Sequence, residues 1–342
     1  MKPATWIIVF VSFVSICLAV VSFFNWWADP FCIYNHEDTP FKYKYVLDER
    51  LQKTSTVRFS KEGYDAVLFG SSVATYINQN HFNNNRVFNY AASGMRPEEF
   101  DEYLKFFKQE NTRNVKMVFI SADFLEYFDN DYVQDSPESY VEKVSAPGYR
   151  VKKLLSFNGI TTTLRNILKQ NRGTMRRYYE PGNIANITRR PPKVVEQIIT
   201  NGLRANDFRD LKVDHEYESH LDDIIAAAAD NSIIVFTSPI SHFRTKLFFE
   251  RGLKEDYENW LRLLVRKFGK VFHFSDINSI TSNHRKYYYD SYHSYPEVGD
   301  MIIKFIESEG AIKKDDFGVV LTPKNIDGYL DSNYSESNKI MR

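Results

Sequence analysis

The chain has 342 residues, with 44 basic and 44 acidic side chains, 43% apolar residues and two cysteines. That length suits one large domain or two modest ones, and the balanced charge argues against a protein whose task is to coat nucleic-acid phosphates. An aromatic content of 15% with only 14 glycines and 12 prolines excludes a disordered or collagen-like chain, and Cys17 and Cys32 leave the body without a disulfide framework or a cysteine zinc site.

From Pro3 to Ala28 no residue is charged, and Trp6 to Trp27 is dominated by Ile, Val, Phe, Leu and Ala. About 20 such residues at 1.5 Å rise cross a hydrocarbon core, and Trp26 and Trp27 suit an aromatic belt at its edge. The segment reads as an uncleaved transmembrane anchor rather than a signal peptide, because the apolar run is long and no clean small-x-small cleavage site follows it. Lys2 before the run, against Asp29, Glu37 and Asp38 after it, orients the body outside the cytoplasm, although Lys42 and Lys44 weaken the bias. The expected location is therefore the inner or cytoplasmic membrane, with a single span.

Residues 29–62 follow as a linker and lead-in helix. The pattern then alternates. Short β-rich runs at Ala66–Phe69, Val87–Tyr90, Val115–Ile120, Ile233–Thr237 and Val271–Phe274 are separated by helical spacing over Pro97–Lys108 and Leu247–Phe268, and Pro296 opens a last helix reaching Glu307. Near-continuous apolar strands between helices predict an α/β domain over 63–325 with a mainly parallel sheet covered on both faces. An interval at about 130–214 breaks the rhythm as a mainly helical insertion, and residues 326–342 read as a flexible tail. Between Arg150 and Arg204 there are twelve Lys or Arg against Glu180 and Glu196 alone, whereas Asp29 to Glu142 carries nineteen acids against twelve bases. A solvated helical face is the simpler account; a patch for anionic lipid headgroups or an anionic polymer is the sharper one.

Three small motifs carry the chemistry. The first predicted strand stops at Gly70-Ser71-Ser72, which sets a serine in the crevice at the carboxyl end of a strand and at a helix start, where N–H groups can face an oxyanion. An ordinary turn and cap uses the same residues. The second strand ends at Ala91-Ala92-Ser93-Gly94, and a glycine there can present its N–H to a substrate or merely permit the turn. The third motif, Tyr289-Asp290-Ser291-Tyr292-His293, contains the only D-x-x-H in the chain, a spacing that lets a carboxylate orient an imidazole. His242, after Thr237-Ser238-Pro239, is a reserve candidate for substrate contact. No metal is expected, since His215 and His220 are five apart and neither H-x-H nor H-E-x-x-H occurs; no cofactor is expected either, since G-x-G-x-x-G and the phosphate loop are missing.

Taken in order, these residues resemble the SGNH or GDSL family of serine hydrolases and acyltransferases. Gly70-Ser71-Ser72 is similar to the first block, G-D-S, with Ser71 in place of Asp; Gly94 matches the second-block glycine, and Asp290 with His293 matches the fifth block. The resemblance implies a flavodoxin-like three-layer α/β/α domain, a Ser72–His293–Asp290 triad, and an oxyanion hole from the Ser72 and Gly94 N–H groups. The third-block Asn is replaced: that turn reads Ile120-Ser121-Ala122-Asp123. Ser71 and Asp123 become candidates for substrate contact, Asp123 also for a helix cap. With its anchor the chain is similar to envelope acyl-transfer members, including those of teichoic-acid D-alanine transfer and alginate acetylation. This implies an esterase or O-acyltransferase acting on acetyl or alanyl esters of an envelope polysaccharide or related polymer, beside a multispanning membrane acyltransferase, with lipid contact through the N-terminal helix and no nucleic acid. The alternative is a catalytically degenerate binding or assembly component of such a complex.

Overall fold

The computed structural model describes residues 2–34, 43–45, 48–129, 135–173, 175–205, 208 and 211–332. In chain order they form α1 (Pro3–Ala28), α2 (Glu49–Phe59), β1 (Ala66–Gly70), β2 (Val87–Asn89), α3 (Phe100–Glu110), β3 (Met117–Ala122), α4 (Pro137–Ser145), α5 (Tyr149–Leu154), α6 (Phe157–Asn171), β4 (Arg177–Glu180) and β5 (Ile184–Ile187). There follow α7 (Pro192–Ala205), α8 (Tyr217–Ala228), β6 (Ser232–Thr237), α9 (His242–Glu250), α10 (Lys254–Phe268), β7 (Val271–His273), α11 (His284–Tyr287), α12 (Pro296–Glu307) and β8 (Val319–Leu321). The chain divides into two compact units, Met1–Lys61 with Ser136–Ala185 and Glu62–Asp135 with Asn186–Arg342.

The second unit is α/β, built on a six-stranded sheet of order β2-β1-β3-β6-β7-β8 in which every described pairing is parallel except that of β7 with the edge strand β8. The sheet strands can be apolar on both sides because helices cover both. Ala66 and Leu68 of β1, Phe119, Phe236 and Phe272 pack with Val298, Ile302 and Ile306 of α12. On the opposite side Phe69 stacks on Phe100 of α3, 5.4 Å between ring centroids, and Trp260 of α10 donates to the Tyr217 hydroxyl of α8 at 3.0 Å. Because β2 lies on one side of β1 and β3 on the other, the chain reverses direction across the sheet at β1, the switch point at which open α/β sheets form their crevice.

In the first unit, α1 is a 26-residue helix long and apolar enough to cross a membrane. Only Asn25 and Ala28, at its carboxyl end, are buried. α2 packs a polar face inward: Asn183 donates to Thr56 Oγ1 at 2.7 Å, the Gln52 amide donates to Asn183, and Ser55 pairs with the Tyr149 hydroxyl at 2.9 Å.

Several expected boundaries move. The insertion anticipated over about 130–214 is shared between the units, since Val195 and Ile199 of α7 are buried and Arg190 donates its backbone N–H to the Tyr295 hydroxyl at 3.0 Å within the sheet unit. The helix anticipated over Leu247–Phe268 is two helices, α9 and α10, interrupted at Arg251-Gly252-Leu253. The tail does not fray from 326: residues 326–332 are helical, with Ile326 and Leu330 buried one turn apart and Asp327 paired with Arg262 at 3.0 Å. Residues 333–342 lie outside those described.

Candidate active site

β1 ends at Gly70, directly opposite Ser121 of β3. A side chain at Gly70 would meet Ser121 Cβ at 2.8 Å and Ala74 Cβ at 2.9 Å, so only glycine lets the chain turn here against its neighbouring strand. The turn delivers two serines with opposite fates. Ser71 is buried and its hydroxyl donates to Asp123 Oδ2 at 3.3 Å; Ser72 is half-buried and its hydroxyl donates to His293 Nε2 at 2.8 Å. Asn89 pins the following segment, its amide donating to the Ala74 and Ile77 carbonyls at 2.9 Å each.

His293 arrives from 221 residues further along the chain, on a turn built by its own partner. Asp290 Oδ1 accepts the backbone N–H groups of Tyr292 and His293, both at 2.8 Å, while Oδ2 accepts from His293 Nδ1 at 2.9 Å. A carboxylate facing Nδ1 fixes the proton there and leaves the Nε2 lone pair for Ser72. Burial pushes the Asp290 carboxyl up, but the hydrogen bonds from His293 and from the two backbone N–H groups outweigh it and bring its pKa down to about 2. The rings of Tyr76 and His293 meet in a T-shaped pair with centroids 6.0 Å apart. The structure thus brings Ser72, His293 and Asp290 into one hydrogen-bonded line.

The second strand contributes alongside. Ala92 N–H donates to the Gly70 carbonyl at 3.1 Å, which ties the turn after β2 to the turn after β1. Gly94, at φ +62°, is exposed. Among the described residues neither the Ser72 nor the Gly94 N–H donates to a protein acceptor, so both remain available to an oxyanion.

The remaining candidates fall elsewhere. Ser71 and Asp123 bond to each other. Asp123 also accepts from Leu125 N–H at 3.3 Å while its own N–H donates to Glu126 Oε2 at 3.2 Å, a capping box that starts the turn Phe124–Tyr127. Burial raises the Asp123 carboxyl pKa, opposed by the Leu125 N–H and the Ser71 hydroxyl. Asp123 is therefore a cap, with its second oxygen spent on Ser71. His242 contacts the Thr281 carbonyl at 3.3 Å and the rings of Phe243 and His284, none of them a triad residue. Glu98, Asp214 and His220 bring ligand-type atoms within 4.8 Å of one another, yet both acids already share the Arg96 guanidinium, at 3.0 Å from Glu98 and 3.5 Å from Asp214.

One contributor carries no sequence signal. Arg244 of α9 is buried behind the Asp290–His293 turn, donates to Ser291 Oγ at 2.6 Å, and lies 4.6 Å from the Tyr292 ring centroid. Ser241 adds two bonds to the Ser291 carbonyl, from its N–H at 3.2 Å and its hydroxyl at 2.9 Å. Together they hold the loop that presents His293. An arginine 49 positions before the histidine it supports belongs to no local motif.

No protein-family model matches the chain, and no curated protein matches it either.

Proposed function

We propose that the protein is a membrane-anchored, extracytoplasmic SGNH-type esterase or O-acyltransferase that acts on acyl esters of an envelope polysaccharide or related polymer. The observation that carries this reading is the 2.8 Å hydrogen bond from Ser72 to an imidazole whose far nitrogen is held by Asp290. Ser72 Oγ attacks the ester carbonyl as His293 Nε2 takes its proton. The Ser72 and Gly94 N–H groups receive the oxyanion. His293 then protonates the departing alcohol, and water or a sugar hydroxyl releases the acyl group by the reverse sequence. A three-layer SGNH arrangement agrees with the position of the serine at the switch point of the sheet.

Anchoring is supported by the end of α1. Asn25 donates to the Leu154 carbonyl at 2.6 Å and the Ser156 carbonyl at 2.9 Å, so the last turn of the helix is part of a folded unit. A cleaved signal segment has no use for such bonds.

Ser72→Ala is expected to abolish labelling of the full chain by a serine-directed fluorophosphonate, and equal labelling of variant and parent would remove Ser72 as the nucleophile. The second reading, a degenerate binding component, is favoured by Asp123 standing where the resemblance expects an asparagine donor. Its expected outcome is a folded parent protein that never labels yet retains acylated polymer in a pull-down.

A further inference from the structure

α6 is amphipathic in the wrong sense for a helix facing water. Its buried side is polar, formed by Thr162, Thr163 and Asn166, whereas Phe157, Leu164 and Leu168 are 74%, 50% and 54% exposed. α5 adds to the same surface, with Val151 at 57% exposed and Leu155, just after it, at 43%. In a water-soluble protein the apolar stripe of a surface helix turns to the core; the reverse means that the outward medium is itself apolar.

The place of this surface names the medium. The Asn25 amide is bonded to the carbonyls of Leu154 and Ser156, the two residues that bracket the turn from α5 to α6, and Gly159 leaves the room that Asn25 occupies. The α5–α6 turn is therefore fastened to the last turn of α1, at the depth where Trp26 and Trp27 are 45% and 40% exposed. Charge points the same way. Between Ala146 and Arg177 the chain carries eight Lys or Arg and no Asp or Glu. Exposed apolar side chains interleaved with cations alone are the composition of a helix resting in a headgroup layer, where long basic side chains reach up to phosphates.

We propose that α5 and α6 form an interfacial surface that lies in the leaflet at the carboxyl end of α1, with Phe157, Leu164 and Leu168 among the acyl chains and the surrounding Lys and Arg on anionic phospholipid headgroups. This inference rests on α1 spanning the bilayer and is independent of the proposed chemistry. It makes the first unit membrane-seated rather than held to the bilayer by a single tether.

The test uses the full chain in nanodiscs of mixed phosphatidylcholine and phosphatidylglycerol, with Cys17→Ser and Cys32→Ala and one nitroxide label at a time on Val11→Cys, Phe157→Cys, Leu164→Cys or Ile312→Cys. Collision with oxygen against collision with a water-soluble nickel chelate reports lipid or water. Labels at 157 and 164 are expected to share the oxygen-dominated ratio of the label at 11, and the label at 312 the nickel-dominated one. Nickel-dominated ratios at 157 and 164 with lipid retained at 11 would overturn the inference and leave the span standing, whereas nickel-dominated ratios at all four sites would remove the span as well. Shielding of 157 and 164 from both reagents would mean that a protein covers the face, which also overturns it. Leu168→Cys replaces either variant if its thermal melt departs from that of the parent.

Discussion

Asp290 uses one carboxylate for two tasks, closing the turn through Oδ1 and orienting the imidazole through Oδ2. Asp290→Asn keeps a carbonyl oxygen for the turn but removes the charge that favours the imidazolium, so the rate of fluorophosphonate labelling is expected to fall by on the order of 10⁴ with the fold retained. An unchanged rate would end the case for an orienting carboxylate. The same group has a pH signature. Its pKa of about 2 lies below the ordinary 3.8, so its contribution is full above about pH 4 and is lost as pH falls towards 2; it amounts to roughly 2 kcal/mol of folding stability. Acid unfolding of the Asn variant lacks that component. At this scale the sequence exposes what is local, a serine after a strand and a carboxylate three positions before a histidine. It hides what depends on meeting in space. Ser71 and Ser72 are chemically identical neighbours, and only the burial of one against Asp123 separates the hydroxyl that bonds this capping carboxylate from the hydroxyl that meets His293.

Elements were legible where burial is uniform. The five parallel strands read as apolar runs because helices cover both their faces, and Pro296 marks the start of α12. β8 escaped because three residues at an antiparallel edge, two of them only half-buried, leave too short a pattern to detect. The 326–332 helix escaped because its polar majority hides two apolar positions, and Leu330→Ala tests its importance: loss of a buried leucine here is expected to cost about 2–5 kcal/mol in denaturant unfolding, where an unchanged midpoint would mean that the turn contributes nothing. α2 offers a second test. Lys53 is fully buried, and burial lowers its pKa to about 7, with Glu49 acting in the opposite sense. Above that value the unfolded chain binds a proton that the folded chain has released, so stability from this group rises between pH 7 and 9. From pH 9 upwards the Cys32 thiol, held up at about 11 by burial, starts to oppose the rise. Lys53→Met is expected to flatten the pH 7–9 slope of unfolding free energy, and a parent-like slope would reassign it to another group.

For the molecule as a whole, zero net charge conceals segregation, with one run of chain purely basic and the preceding stretch acidic. The arrangement into two units was not legible, because the first is assembled from segments more than 70 residues apart that meet through polar contacts such as Gln52 with Asn183 rather than through a hydrophobic repeat. Retention of α1 is a prediction at this scale. The intact mass of protein extracted from membranes is expected to include residues 1–28, and a mature chain starting after Ala28 would convert the anchor into a signal sequence.

The distance along the chain between Ser72 and His293 has a further consequence during biosynthesis. A nascent polypeptide exposes its serine early, but the imidazole it bonds leaves the ribosome only after 221 more residues have been added. No prematurely terminated product shorter than 293 residues can assemble the pair, so the hydrogen bond between them forms only once most of the polypeptide has been made.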